Sequence, residues 1–258
     1  MAVAAALLIL TMFEFQTDLI FPVRAVAPSG PVPPGAELLS FKTPDGEQLA
    51  GIHIPAEKPT TDGTLILGFG GNAWNGQDVA EYLHELFPDD DVVAFHYRGY
   101  RPSTGSPSAD ALIADAPLLY DLAVERVKPS RVVAVGFSIG SGIAAQLATR
   151  RRLDGLILVT PVDSLKAVAQ SMYPWLPIGP LFQHEIDAAG ALEHIGGPLA
   201  IVAAENDEIV PAERTDALRK RARNLRFDRT IAGCGHNDIY ARSDFHEAMR
   251  DALNRLET

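Results

Sequence analysis

The sequence predicts an α/β fold: a mostly parallel sheet of about eight strands, helices on both faces and a short cap. Two observations carry this. From Thr64 onward, apolar runs of strand length alternate with stretches of helical period. Those runs are nearly continuous rather than alternating, as in strands covered on both faces. At 258 residues, 47% hydrophobic and 21% charged, the chain can fill one full core.

Each element follows from its own residues. Leu38–Thr43 and Gln48–Ile54 flank the turn tripeptide Pro44-Asp45-Gly46 and predict a hairpin. Thr64–Phe69 and Val92–Tyr97 are apolar strands around a helix over Asp78–Phe87, where Val79, Tyr82, Leu83 and Leu86 recur at helical spacing. Asp110–Val127 is a long helix capped by Asp110 or Ser108. Val132–Phe137 is the next strand and Ile139–Arg150 the helix after it. Gly155–Thr160, Leu199–Ala204 and Leu225–Ile231 are further strands, with helices over Pro211–Arg223 and Ser243–Leu256. The breaker-rich stretch 165–197 departs from this alternation and predicts a short cap, which leaves a site open to bulky substrates.

Composition excludes several classes. A formal net charge of -11 opposes a nucleic-acid partner. The Arg150-Arg151-Arg152 run sits where it meets the negative end of a helix dipole. One cysteine, Cys234, allows no internal disulfide and reads as a small packing residue. The seven histidines make no metal-ligand spacing, so no metal is expected. No G-x-G-x-x-G opens an early strand–helix unit, which argues against a dinucleotide fold, and no cofactor is expected.

The chemistry sits in Gly136-Phe137-Ser138-Ile139-Gly140, a serine at a sharp turn between strand and helix. A serine hydroxyl is a poor nucleophile without a base, and the base needs an orienting carboxylate. The chain supplies both, further on: Asp207 at a strand end before Val210-Pro211, then His236 in the glycine-rich loop Gly233-Cys234-Gly235-His236. Ser138 is read as nucleophile, His236 as general base and then acid, Asp207 as the group that orients it. Asp163 and Glu205 compete with Asp207. The oxyanion donors are assigned to the backbone N–H groups of Ile139 and of Asn72, in the loop Gly68-Phe69-Gly70-Gly71-Asn72-Ala73.

These motifs together resemble the α/β-hydrolase superfamily, and within it its Bem46-like and serine aminopeptidase-like members. The likeness runs over nearly the whole chain: Phe15–Pro22, Thr43–Gly46, Gly71–Ala73, Tyr97-Arg98-Gly99-Tyr100 with Ser103, Gly105 and Pro107, Gly136–Gly140, Asp207 with Val210-Pro211, and Gly235-His236. Two positions depart from the family pattern. Gly70 stands where the family usually has a loop-supporting histidine, and Arg101 where it usually has glycine. The resemblance implies membrane-associated relatives, including lipid-type and protein-deacylating hydrolases, and makes an acyl-chain substrate plausible.

Met1–Phe13 is almost wholly apolar and too short to span a bilayer as a helix. It reads as a clipped membrane anchor, with an atypical signal sequence and a buried helix as alternatives. Pro28–Gly35 then reads as a linker, so that 1–35 precedes a catalytic domain over 36–258. The expectation is a serine hydrolase acting on an ester, thioester or amide. It is membrane-associated through its N-terminal segment and otherwise cytoplasmic. The alternative is a non-catalytic binding protein of the same fold at a membrane.

Overall fold

A computed structural model describes residues 13, 15–58, 63–175, 178–179 and 182–256. After a helical stretch over residues 15–20, the chain runs through β1 (Glu37–Lys42), β2 (Gln48–Ile54), β3 (Thr64–Phe69), α1 (Gly76–Leu86) and β4 (Asp91–Phe95). It continues through α2 (Ala109–Val127), β5 (Arg131–Phe137), α3 (Ile139–Ala148), β6 (Gly155–Val159), α4 (Leu165–Met172) and α5 (Ala188–Leu192). β7 (Leu199–Ala204), α6 (Ala212–Arg221), β8 (Leu225–Ile231) and α7 (Ser243–Leu256) complete it. One eight-stranded sheet has the order β1-β2-β4-β3-β5-β6-β7-β8. β2 is antiparallel to β1 and β4, and all other pairs are parallel.

The strand pattern explains the two covered faces. Along β3, Leu65 and Leu67 point to one face and Ile66 to the other, and β5 and β6 repeat the alternation. α2, α3, α5 and α6 pack on the first face through residues such as Leu112, Ile143, Leu192 and Leu218. α1 and α7 cover the second through Val79, Leu83, Phe245 and Met249. Parallel strands present their carboxyl ends at one edge, so the loops after β3, β5, β7 and β8 meet there.

The helix starts refine the sequence expectations. α1 begins two residues earlier than expected, because the Asn75 side chain caps it by accepting from Asp78 N at 2.9 Å. Ser108, not Asp110, caps α2, its Oγ accepting from Ala111 N at 3.1 Å. The stretch expected to be a linker is pinned to α1. Asn75 Nδ2 donates to Ala27 O, and Gln77 Nε2 donates to Gly30 O and Pro31 O, at 3.1–3.2 Å. The expected anchor, 1–13, lies outside the described residues but for Phe13. Among the described residues no helix is long and apolar enough to cross a membrane.

An ion cluster centred on the buried Arg98–Asp115 pair fixes the loop after β4. Arg98 donates to both Asp115 oxygens, at 2.6 and 2.7 Å, and to both Asp45 oxygens, at 2.5 and 3.1 Å. The loop is thereby tied to α2 and to the first hairpin turn. The guanidinium and the Thr43 hydroxyl hold the Asp45 carboxyl well below the usual carboxylate range.

His96, 4% exposed beside this loop, has its pKa pushed down by burial to about 4 from an ordinary 6.5. The unfolded chain therefore takes up this proton first as pH falls. The corresponding stability is complete above pH 6.5 and is lost progressively towards pH 4. Urea unfolding across that window should show a loss to which His96 contributes roughly 2–3 kcal/mol. His96→Gln should flatten the pH dependence, and an unchanged slope would refute the assignment.

Candidate active site

The turn between β5 and α3 is a single residue, Ser138, held at φ 51° and ψ -119°. For a residue with a Cβ such a backbone costs about 1–3 kcal/mol and persists only where its surroundings enforce it. Two close approaches do so. A Cβ on Gly140 would lie 2.2 Å from Phe69 O and 2.4 Å from Gly70 O, and one on Gly136 would lie 2.5 Å from Gly140 O. Glycine alone lets helix, elbow and β3 come this close. Ser138 N donates to Val159 O on β6 at 2.9 Å, and Ser138 O accepts from the Ser141 amide at 3.0 Å and hydroxyl at 2.5 Å. With its backbone so engaged, the half-buried side chain stands clear of the sheet edge.

β7 and β8 are neighbours, so the loops leaving them run side by side. Asn206 N donates to Cys234 O at 2.9 Å, Gly233 N to Glu205 Oε2 at 2.8 Å, and His236 N to Glu208 Oε2 at 3.1 Å. This stitching holds His236, 5% exposed, between the other two groups. Its Nε2 lies 2.9 Å from Ser138 Oγ, and its Nδ1 lies 2.8 and 3.0 Å from the Asp207 oxygens. Asp207 Oδ1 also accepts from Ile209 N at 2.9 Å and Val210 N at 2.7 Å, which fixes the carboxylate plane. Nδ1–H donates to Asp207, which leaves Nε2 as acceptor for the serine hydroxyl.

The competing carboxylates are occupied elsewhere. Asp163 accepts from Ser164 N at 2.9 Å and pairs with Arg214 at 3.3 Å, while burial raises its pKa. Glu205 braces Gly233. Cys234 is buried, with Sγ 3.3 Å from Ile231 O, and burial pushes its thiol pKa up.

Ile139 is the first residue of α3, so its N–H has no carbonyl one turn back to bond within the helix. The β3 loop approaches from the other side: a Cβ on Gly71 would sit 3.5 Å from Ser138 Cβ. The Asn72 side chain turns away, Nδ2 donating to Ile20 O at 3.0 Å, so what Asn72 can offer the site is its backbone N–H. Tyr97 OH donates to Gly70 O at 2.8 Å and holds this loop from beneath. A Cβ on Gly70 would be 2.8 Å from Val79 Cγ2, so a side chain at this position would require Val79 to shift. Sequence reasoning had Tyr97 within a motif but gave it no role.

Above the serine lies a cavity of about 820 Å³. α4 and the loop after it form one side, including Leu165, Val168, Met172 and Ile178. The other side, unanticipated, is the N-terminal helical stretch, with Phe13, Leu19 and Ile20 on the lining. It is latched to the cap: Gln183 N donates to Gln16 Oε1 at 2.9 Å, Thr17 Oγ1 meets His184 Nε2 at 2.7 Å, and Phe21 packs edge-on against His184.

Over residues 65–192 the chain matches the α/β hydrolase fold family. It is 31% identical over 265 residues to an uncharacterized protein of Mycobacterium tuberculosis, a match spanning 100% of this chain and 92% of that one. The chain belongs to the α/β hydrolase superfamily. It is also 28% identical over 232 residues to the lysophosphatidylserine lipase ABHD12 of Xenopus tropicalis, spanning 77% of this chain and 59% of that protein. A Pyrococcus furiosus esterase structure superposes with TM-score 0.71 at 18% identity, covering 90% of this chain and 96% of that chain, a likeness of fold.

The hydrogen bonds separate the candidate acids. Asp207→Asn should slow fluorophosphonate labelling of Ser138 by on the order of 10³-fold or more, by leaving the imidazole in the wrong tautomer. Asp163→Asn should leave the labelling rate within about threefold. The reverse ranking would refute the geometric assignment.

Proposed function

We propose that this chain is a serine hydrolase that cleaves carboxylic esters of apolar acyl chains through an acyl-enzyme. The observation that carries this is the unbroken Ser138–His236–Asp207 relay opening into an apolar cavity. Ser138 Oγ attacks the ester carbonyl carbon while His236 Nε2 takes its proton, and Asp207 stabilises the imidazolium. The oxyanion forms against the N–H groups of Ile139 and Asn72. His236 then returns the proton to the departing alkoxide, and water repeats the sequence to release the acid.

An ester is favoured over an amide by the lipase and esterase names of the relatives above. Thioesters share the same tetrahedral chemistry. Membrane association through the N-terminal segment belongs to this reading. Its support is the apolar sequence of 1–13 and the exposed Phe15, Leu19, Met172 and Trp175 on the two elements that frame the cavity.

Hydrolysis of p-nitrophenyl esters of increasing chain length tests the reading. kcat/KM should rise roughly fourfold per methylene until the cavity is filled, as each buried methylene contributes about 0.8 kcal/mol. Ser138→Ala should lose on the order of 10⁵-fold or more in kcat. A folded wild-type protein inert towards every chain length would overturn it.

A further inference from the structure

The cavity lining has two unlike parts. The part from α4 is apolar. The other, Trp74, Tyr82, Tyr240 and Asp78, comes from α1 and from the loops after β3 and β8. Asp78 is the one carboxylic acid on the described lining, where there is no Lys or Arg. Asp78 and Tyr82 are one turn apart on α1 and share a face. Tyr82 OH donates to Tyr240 O at 2.7 Å, and Tyr240 lies four residues beyond His236. Asp78 is thereby linked, through Tyr82 and Tyr240, to the loop that carries His236, the group from which a departing alcohol would collect its proton.

The rest of that part is aromatic. Trp74 packs 5.5 Å from Tyr82 and 5.4 Å from Tyr240, centroid to centroid. Burial raises both phenol pKa values, that of Tyr240 to about 12, so both phenols stay neutral. The carboxylate is preset: Asn75 Nδ2 donates to Asp78 Oδ2 at 2.7 Å, and Asp78 N donates back to Asn75 Oδ1 at 2.9 Å. A carboxylate beside several aromatic rings attracts an organic cation through both charge and ring quadrupoles. It repels an anion, and no cation on the described lining offsets that.

Resting on the hydrolase reading above, we propose that this part selects the leaving group, favouring an alcohol that bears an ammonium group and rejecting an anionic one. The acyl chain then takes the apolar part from α4. The preferred substrates are fatty esters of amino- or quaternary-ammonium alcohols. An anionic alcohol that carries no ammonium group would face Asp78 without a counter-ion.

Three octanoate esters test this: the choline ester, its uncharged carbon isostere 3,3-dimethylbutyl octanoate, and the ester of 3-hydroxypropanoate. Binding is measured on Ser138→Ala by displacement of a fluorescent fatty-acid probe, and kcat/KM on the wild-type chain. The choline ester should exceed its isostere by roughly tenfold in both measurements, and the anionic ester should fall below the isostere by a similar factor. Raising salt to 0.5 M should narrow both gaps. Asp78→Asn should bring the three within about twofold, with an unchanged melting temperature because asparagine can keep the bond to Asn75. Equal binding of choline ester and isostere, or a ratio untouched by Asp78→Asn, would overturn the proposal. The expected binding order without turnover would uphold it while removing the hydrolase reading.

Discussion

The positive φ of Ser138 is the constraint on which the rest of the site depends. A serine forced into this backbone cannot be absorbed into β5 or α3, so its hydroxyl projects from the sheet edge. The conformation survives because α3 packs directly on the backbone of β3, with Gly140 against Phe69 O and Gly70 O. Elbow and oxyanion loop are thus one packed unit. A change at Gly140 would displace Ser138 and the loop that faces it together. Tyr97 extends the unit downward through Gly70, and Arg98, the next residue, extends it to α2 and the first hairpin.

The sheet supplies the rigid base that such strain needs. β3, β5, β6 and β7 are flanked on both sides by paired strands and covered on both faces by helices. Their carboxyl ends hardly move relative to one another in so dense a core. The loops after β7 and β8 inherit that rigidity through their mutual hydrogen bonds, so His236 reaches the serine from a distant part of the chain at 2.9 Å. The cover is built differently. The stretch 15–20 meets the segment after α4 through latches, Gln16 to Gln183 and Thr17 to His184, while Ile20 and Leu165 pack on the first-face core.

The elbow was legible in the sequence because its requirements are local. A strand, two glycines and a helix within a few residues leave little choice of geometry. The inner strands β3 to β7 were legible because runs buried on both faces read as continuous apolar segments, and β1 and β2 because a turn tripeptide separates them. The acid was harder. Asp163 and Asp207 both follow strands, and only the placement of Arg214 beside one and His236 beside the other separates them. The N-terminal cover was not legible at all. Phe15, Gln16 and Thr17 show no pattern that distinguishes a membrane-proximal segment from half of a cap, because their partners are His184 and Gln183, far along the chain. Tyr97 and Asp78 were hidden likewise, since the roles of both depend on elements that only the fold brings near.

The most direct measurement is acid-quenched mass spectrometry of the protein mixed with a long-chain ester in the first turnovers. The account predicts a transient mass increase equal to the acyl group, carried by the peptide containing Ser138, which then decays to free acid. Hydrolysis proceeding with no acyl adduct on Ser138 at any time, under conditions where the second step is slowed, would contradict it.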